Sequence, residues 1–293
     1  MISVIISSAN PSLLADAGKN IEDTIGVPYE IIAFDNRDGK KGICEIYNEG
    51  IQRAAHEILC FMHEDICIKS EGWGKIINNK FAEHSEYGLL GIAGSDYKSL
   101  APSGWNGSGI DTDHVNLIQH YKSGKKDPAH RFKNILNKDL VEVSCVDGVW
   151  FCVPKKIAAE VLFDQNTFKG FHGYDIDFSL AVGRKYKVGV IFDVLIEHFS
   201  EGNYNKTWMD DTLKLHDKWY DHLPVNVLPH SSKKILYAEK VTFQYFIEQL
   251  IHFKFPMRVA LAFLNKKNKF AQMDLKLFLK LHYYILKKYA TLR

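Results

Sequence analysis

Two periods of hydrophobicity alternate along the first two hundred residues. Short apolar runs at Ser3-Val4-Ile5-Ile6-Ser7, Tyr29 to Phe34, Ile58 to Met62 and Gly88 to Gly94 read as strands buried on both faces. Between them, residues 12–25 and the series Ile43, Ile46, Tyr47, Gly50, Ile51, Ala54 and Ala55 carry the helical period. Glu71-Gly72-Trp73-Gly74 leads into a helix through Phe81. Strand–helix–strand units in series predict an α/β domain, a mostly parallel central sheet flanked by helices. Residues 98–137 read as irregular and are rich in Gly, Ser, Asn, Lys and His, a long loop region in which Ser103-Gly104-Trp105-Asn106-Gly107 reads either as a lid with an aromatic tip or as a disordered stretch. Val141 to Pro154 reads as two strand segments broken at Asp147-Gly148, and Pro154 with Lys155-Lys156 opens a helix. A late strand run covers Lys187 to Phe199. Helical pattern then takes over at 207–222 and 239–253, so the chain divides into an α/β domain, 1–204, and a helical extension, 205–293.

The polar residues that end the strands are the candidate chemistry. The run Ile58 to Met62 gives way at once to His63, Glu64 and Asp65, at the strand end where open α/β sheets hold ligands. A carboxylate there either solvates the strand end or takes a hard divalent cation, which in turn holds phosphates. The first strand ends at Ser7-Ser8, small side chains that let a ligand approach the backbone. The second ends at Asp35-Asn36. Asn48 lies on the following helix, off the regular part of its apolar stripe. Asp175 and Asp177 stand two apart at the start of a helix, where unpaired amides stabilise an anion. Trp150 either stacks on a sugar ring or belongs to the core. His198 is a candidate nitrogen ligand.

Composition sets bounds on these readings. The 293 residues are 46% hydrophobic and 25% charged, enough for a large core. Five cysteines without paired metal spacing read as buried free thiols in a reducing compartment. No basic segment precedes the first apolar run, and no apolar stretch approaches the roughly 18 residues of a membrane span. The expectation is a cytoplasmic protein. Residues 254–293 hold ten Lys or Arg against one acid, Asp274, a net +9 that leaves the rest of the chain at −7. Basic and apolar residues interleaved in this way point to an anionic membrane surface, a packed terminal hairpin or a homodimer. Zinc-finger spacing and RNA-binding motifs are missing, so nucleic acid is not the expected partner. There is no Gly-x-Gly-x-x-Gly after the first strand and no phosphate loop ending in Gly-Lys-Ser or Gly-Lys-Thr, which disfavours dinucleotide and P-loop enzymes.

In chain order, Asp65 at a strand end, Asp175 at a late helix and His198 after a late strand resemble the family two inverting glycosyltransferases of GT-A fold. The resemblance spans roughly residues 2–200, beginning with Ser3-Val4-Ile5-Ile6-Ser7. It implies that Asp35 contacts the nucleotide base, that Asn48 in Asn48-Glu49-Gly50 lies near the donor, and that His63-Glu64-Asp65 stands for the family's Asp-x-Asp, with His in place of the first acid. It implies Asp65 and His198 as ligands of Mn2+ or Mg2+, with Ser8, Asn36, His63 and Glu64 lining the donor site. The family's Glu-Asp base motif becomes Tyr174-Asp175, making Asp175 the catalytic base and Asp177 its rival. Trp105, Trp150 and Asp177 would face the acceptor.

The implied reaction is metal-dependent, inverting transfer of a sugar from a nucleotide sugar, UDP-linked by preference. The acceptor is a hydroxyl of a glycan or lipid-linked molecule, in cell-surface polysaccharide synthesis at the inner membrane face. Two rivals share the scaffold. A nucleotidyltransferase would make the nucleotide sugar instead of spending it. A non-catalytic sugar- or nucleotide-binding protein would fit the altered motifs at His63 and Tyr174.

Overall fold

The computed structural model describes residues 1–106, 111–121 and 126–291. In chain order its elements are β1 (Ile2–Ser8), α1 (Pro11–Thr24), β2 (Tyr29–Asp35), α2 (Ile43–Arg53), β3 (Ile58–Met62), β4 (Ile66–Ile68), α3 (Trp73–Glu83), β5 (Tyr87–Gly91) and β6 (Ala93–Ser95). Next come β7 (Tyr97–Lys98), β8 (Asp113–Gln119), β9 (Ala129–Lys133), β10 (Leu140–Val143), β11 (Cys145–Val146), β12 (Trp150–Pro154), α4 (Lys155–Val161), α5 (Tyr174–Val182), β13 (Lys187–Ile191) and β14 (Ile196–His198). The rest is α6 (Lys206–Trp219), β15 (Val225–Asn226), α7 (Ser232–His252), α8 (Met257–Asn265), a short 3-10 turn (Lys266–Asn268), α9 (Lys269–Met273) and α10 (Leu275–Ala290). The chain forms two compact units, Met1–Asp96 with Asp113–Gly202, and Tyr97–Thr112 with Asn203–Arg293.

The first unit is built on a sheet that, among the described residues, has seven strands in the order β10-β13-β5-β12-β3-β1-β2. β2, β1 and β3 run parallel, as do β13 and β5. β12 enters antiparallel between β3 and β5, so the sheet is mixed. Its central strands are apolar on both faces: Val4, Ile5, Ile6, Leu59, Cys60, Phe61, Leu89 and Leu90 are all buried. α2 lies close on β1 because Gly50 has no side chain; a Cβ there would come within 2.6 Å of Ile5 Cγ2. A second sheet has the order β11-β6-β8-β14-β4, with β9 beside β8.

This second sheet corrects two expectations. The stretch 98–137 is not one irregular loop: it holds β8, whose His114, Val115, Asn116 and Leu117 are buried, and the antiparallel β9. Its polar composition hid the strands. Asn116 satisfies buried backbone carbonyls, donating Nδ2 to Phe192 O at 2.9 Å and Val194 O at 3.0 Å. The late run from Lys187 is likewise two strands in two sheets, β13 beside β5 and β14 between β8 and β4. The lid segment 103–107 ends on Gly107, which lies outside the described residues.

In the second unit, Tyr97 and Lys98 pair with β15. The buried Glu239 of α7 accepts Tyr97 Oη at 2.6 Å, Ser99 Oγ at 2.9 Å, Leu100 N at 2.7 Å and Ala101 N at 3.1 Å. A buried carboxylate is tolerated when its lone pairs are filled in this way. Those bonds hold Tyr97–Ala101 on α7. α10 buries Leu277, Leu281 and Ile285, while Leu275, Leu279, Tyr283 and Leu286 stay exposed. Among the described residues, no helix is long and apolar enough to cross a membrane.

Candidate functional site

Strand register assembles the site in the first unit. β4 and β14 run antiparallel with His198 opposite Ile66, so Asp65, one residue before β4, meets the end of β14. Phe199 N donates to Asp65 O at 3.0 Å and closes that corner. His198 Nε2 stands 3.5 Å from Asp65 Oδ1, and His63 Nδ1 3.9 Å from the same oxygen. These separations exceed a well-formed hydrogen bond. They suit ligands around one ion, since two donor atoms about 2.1 Å from a common metal lie up to about 4.2 Å apart. The three ligand atoms all fall within 4.8 Å of one another. Burial pushes the Asp65 carboxyl up, but the neighbouring side chains of His198, Ser200 and His63 outweigh it and hold the group well below the usual carboxylate range. Burial, and the neighbouring His198, push the His63 pKa down. An ionised carboxylate between two imidazoles, one of them favoured neutral, is a donor set fit for a divalent transition ion.

β12 supplies the other half. Its antiparallel register sets Trp150 opposite Met62, and His63 N donates to Val149 O at 3.0 Å. The Asp147-Gly148 turn therefore lies beside His63. α5 is pinned to the same place by Ser179, whose Oγ donates to Asp175 O at 2.7 Å and accepts Val146 N at 3.2 Å. Gly148 N donates to Asp175 Oδ2 at 3.0 Å. Burial first, and the Asp147 carboxylate second, push the Asp175 carboxyl up to about 7, against partial relief from the amides of Ile176 and Gly148. Tyr174 Oη donates to Gly148 O at 3.1 Å and lies 3.2 Å from His63 Nε2. A Cβ on Gly148 would be 2.1 Å from that hydroxyl, so the turn must be glycine here.

The structure sorts the remaining candidates. Glu64 is a clamp: its carboxylate accepts Ser8 Oγ at 2.6 Å, Ala9 N at 3.0 Å and Asn10 N at 3.1 Å, fixing the exit of β1 beside the metal-capable residues. Asp35 is exposed at the end of β2 and pairs with Arg37. Asn36 closes the 36–41 turn, donating to Lys41 O at 2.9 Å and accepting Lys41 N at 3.2 Å. Asn48 is buried and committed to the backbone, donating to Phe163 O at 2.9 Å and accepting Phe163 N at 2.8 Å. Asp177 is buried, two residues along α5 from Asp175, a spacing that puts it on another face of the helix. Trp150 is fully buried with its ring edge-on to Trp73 at 5.8 Å, so it is core and offers no face to a sugar, a correction explained by its place on a central strand. Trp105 belongs to the other unit. Sequence reasoning did not single out Asp147 or the Tyr174 hydroxyl, and it placed His63 with the donor rather than the metal. The Asp147-Gly148 break was the visible signal for the first.

Comparison with known proteins agrees with this architecture. The sequence model of a family described as "Glycosyltransferase like family" matches residues 3–222. The streptomycin biosynthesis protein StrF of Streptomyces griseus is 24% identical over 205 residues, 67% of each chain. The fold is similar to the crystal structure of GalNAc-T7 with UDP, GalNAc and Mn2+, with TM-score 0.51 and 10% identity over 86% of this chain. That match spans 56% of the GalNAc-T7 chain.

Proposed function

The chain belongs to this glycosyltransferase-like family and has the GT-A fold, and from that premise we propose that it transfers a sugar, with inversion, from a UDP-sugar to an acceptor hydroxyl. The observation that carries the reading is the pairing of two groups beside the end of the central strand β3. One is the His63, Asp65 and His198 set; the other is Asp175, raised to about 7 beside Asp147.

Asp175, in its ionised form, takes the proton from the acceptor hydroxyl. The acceptor oxygen then forms its bond to the anomeric carbon from the opposite face, and the bond from that carbon to the diphosphate oxygen breaks with its electron pair going to the nucleotide. A base whose pKa lies near the working pH balances ionised fraction against basicity. His63, Asp65 and His198 would hold a divalent ion, Mn2+ favoured, which when bound supplies Lewis-acid neutralisation of the departing diphosphate. Glu64 keeps the Ser8–Asn10 backbone in place next to it. The exposed Asp35 at the end of β2 is the reading for base contact, once released from Arg37. UDP and Mn2+ in the GalNAc-T7 complex support the choice of donor and ion.

A lipid-linked acceptor, the one of the two acceptor classes that sits at a membrane, is supported by α10, which presents Leu275, Leu279, Tyr283 and Leu286 beside exposed Lys276, Lys280 and Lys287. An apolar row flanked by lysines suits the surface of an anionic membrane.

The test is a thermal-shift series with UDP, UDP-sugars and nucleoside triphosphates, with and without Mn2+, followed by assay of nucleotide release. A Mn2+-dependent shift with UDP or one UDP-sugar, lost in Asp65→Ala, together with UDP release, supports transfer. Pyrophosphate release from a nucleoside triphosphate would replace the reading with a nucleotidyltransferase. Donor binding without turnover on any acceptor would make the protein a binder.

A further inference from the structure

The Tyr174 hydroxyl has one proton, and the geometry assigns it to Gly148 O at 3.1 Å. Towards His63 Nε2, 3.2 Å away, the same oxygen then acts as acceptor. In that arrangement Nε2 carries the imidazole proton. In a neutral ring this leaves the lone pair on Nδ1, the atom that faces Asp65 Oδ1 at 3.9 Å. We propose that Tyr174 is the positioning residue that fixes the tautomer and rotation of His63, so that Nδ1 serves as a metal ligand alongside Asp65 and His198. This rests on the metal-site reading above and adds the group that prepares one of its ligands.

Three observations make Tyr174 more than an incidental neighbour. It is 4% exposed, with its ring edge-on to Tyr47 at 5.7 Å, so the hydroxyl is delivered by a rigid ring. It opens α5 directly after Gly173, whose φ of 76° turns the chain into the helix. Gly148 leaves the gap that the hydroxyl fills. The two positions at which this sequence departs from the family's motifs, His63 for an acid and Tyr174 for an acid, are thus joined by one hydrogen bond. A metal-bound imidazole is oriented by the hydrogen bond to its other ring nitrogen, and outer partners of this kind typically change metal affinity by 10- to 100-fold.

The experiment uses the full chain and Mn2+ alone, titrated by calorimetry, in wild type, Tyr174→Phe, His63→Ala and the double variant. Phenylalanine keeps the ring and removes only the hydroxyl. Mn2+ affinity should fall about 10- to 100-fold in Tyr174→Phe. In the His63→Ala background the same change should cost nothing further. Nitrogen-15 NMR of the metal-free wild type provides a second readout that does not depend on the folding of any variant, and it should show His63 protonated on Nε2.

Unchanged Mn2+ affinity in folded Tyr174→Phe overturns the proposal, as does an equal loss with and without His63. A His63 protonated on Nδ1 overturns it directly. Failure of the wild type to bind Mn2+, even with UDP, instead defeats the metal reading, and the NMR result separates the two.

Discussion

The Asp175 carboxylate is held 3.0 Å from the Gly148 backbone N–H, next to a second acid, Asp147. The amide stabilises the anion while burial and the second acid oppose it, and the balance sets the carboxyl near neutrality.

A pH dependence follows with a definite sign. A base works when ionised, so kcat/KM should rise with pH through about 7 and level off above it. Asp175→Asn should lower turnover by about 100- to 10,000-fold. Near-normal turnover in that variant would remove Asp175 from the base role. Asp147→Asn removes the charge that raises Asp175, so the rising limb should move to lower pH. A limb that stays in place or moves to higher pH would show that Asp147 does not tune the base.

Gly148→Ala should destabilise the fold. Its Cβ would meet Tyr174 Oη at 2.1 Å and Asp175 Cβ at 3.2 Å. Overpacking of this kind costs about 1–3 kcal/mol. Urea denaturation measures it, and an unchanged midpoint would show that Tyr174 can move aside freely.

Asn48→Ala should lower stability by about 1–3 kcal/mol, because it strands the buried Phe163 N–H and removes the donor to Phe163 O. The family resemblance puts this residue near the donor, whereas its bonds tie α2 to the segment after α4. Full stability of the variant, measured by thermal unfolding, would count against the structural role.

Leu279→Glu with Tyr283→Glu should reduce partition onto vesicles of anionic lipid and leave the melting temperature nearly unchanged, since both side chains are exposed on α10. Flotation measures the first and calorimetry the second. Equal partition of variant and wild type would exclude a membrane role for this face. Loss of a dimer in the variant would assign it to a second copy of the chain.

Much of the fold was legible without coordinates. β1, β2, β3 and β5 are short apolar runs between helices of clear period, and such patterns are local. The acids that end those strands could be picked out for the same reason, because a strand end is a place in the sequence. What was illegible depended on partners far along the chain. β8 mixes polar and apolar residues and owes its burial to lying beside β14 and β6, while β9 is largely exposed and pairs only with β8 among the described residues, so neither carries a local strand signal. The Lys187–Phe199 run gave no sign of dividing between two sheets.

For the site, the sequence by itself determined the chemical inventory: Asp65, His198 and Asp175 in an order that resembles a glycosyltransferase, with His63 and Tyr174 as departures from its motifs. Only the tertiary structure decided which of these lie together. The register of β4 on β14 sets Asp65 against His198, and the register of β12 on β3 brings Gly148 to His63. The same registers place Trp150 in the core, commit Asn48 to the backbone and make His63 and Tyr174 a hydrogen-bonded pair. Register is a property of two strands at once, and a one-residue slip turns every side chain to the other face, so the sequence of either strand alone does not contain it.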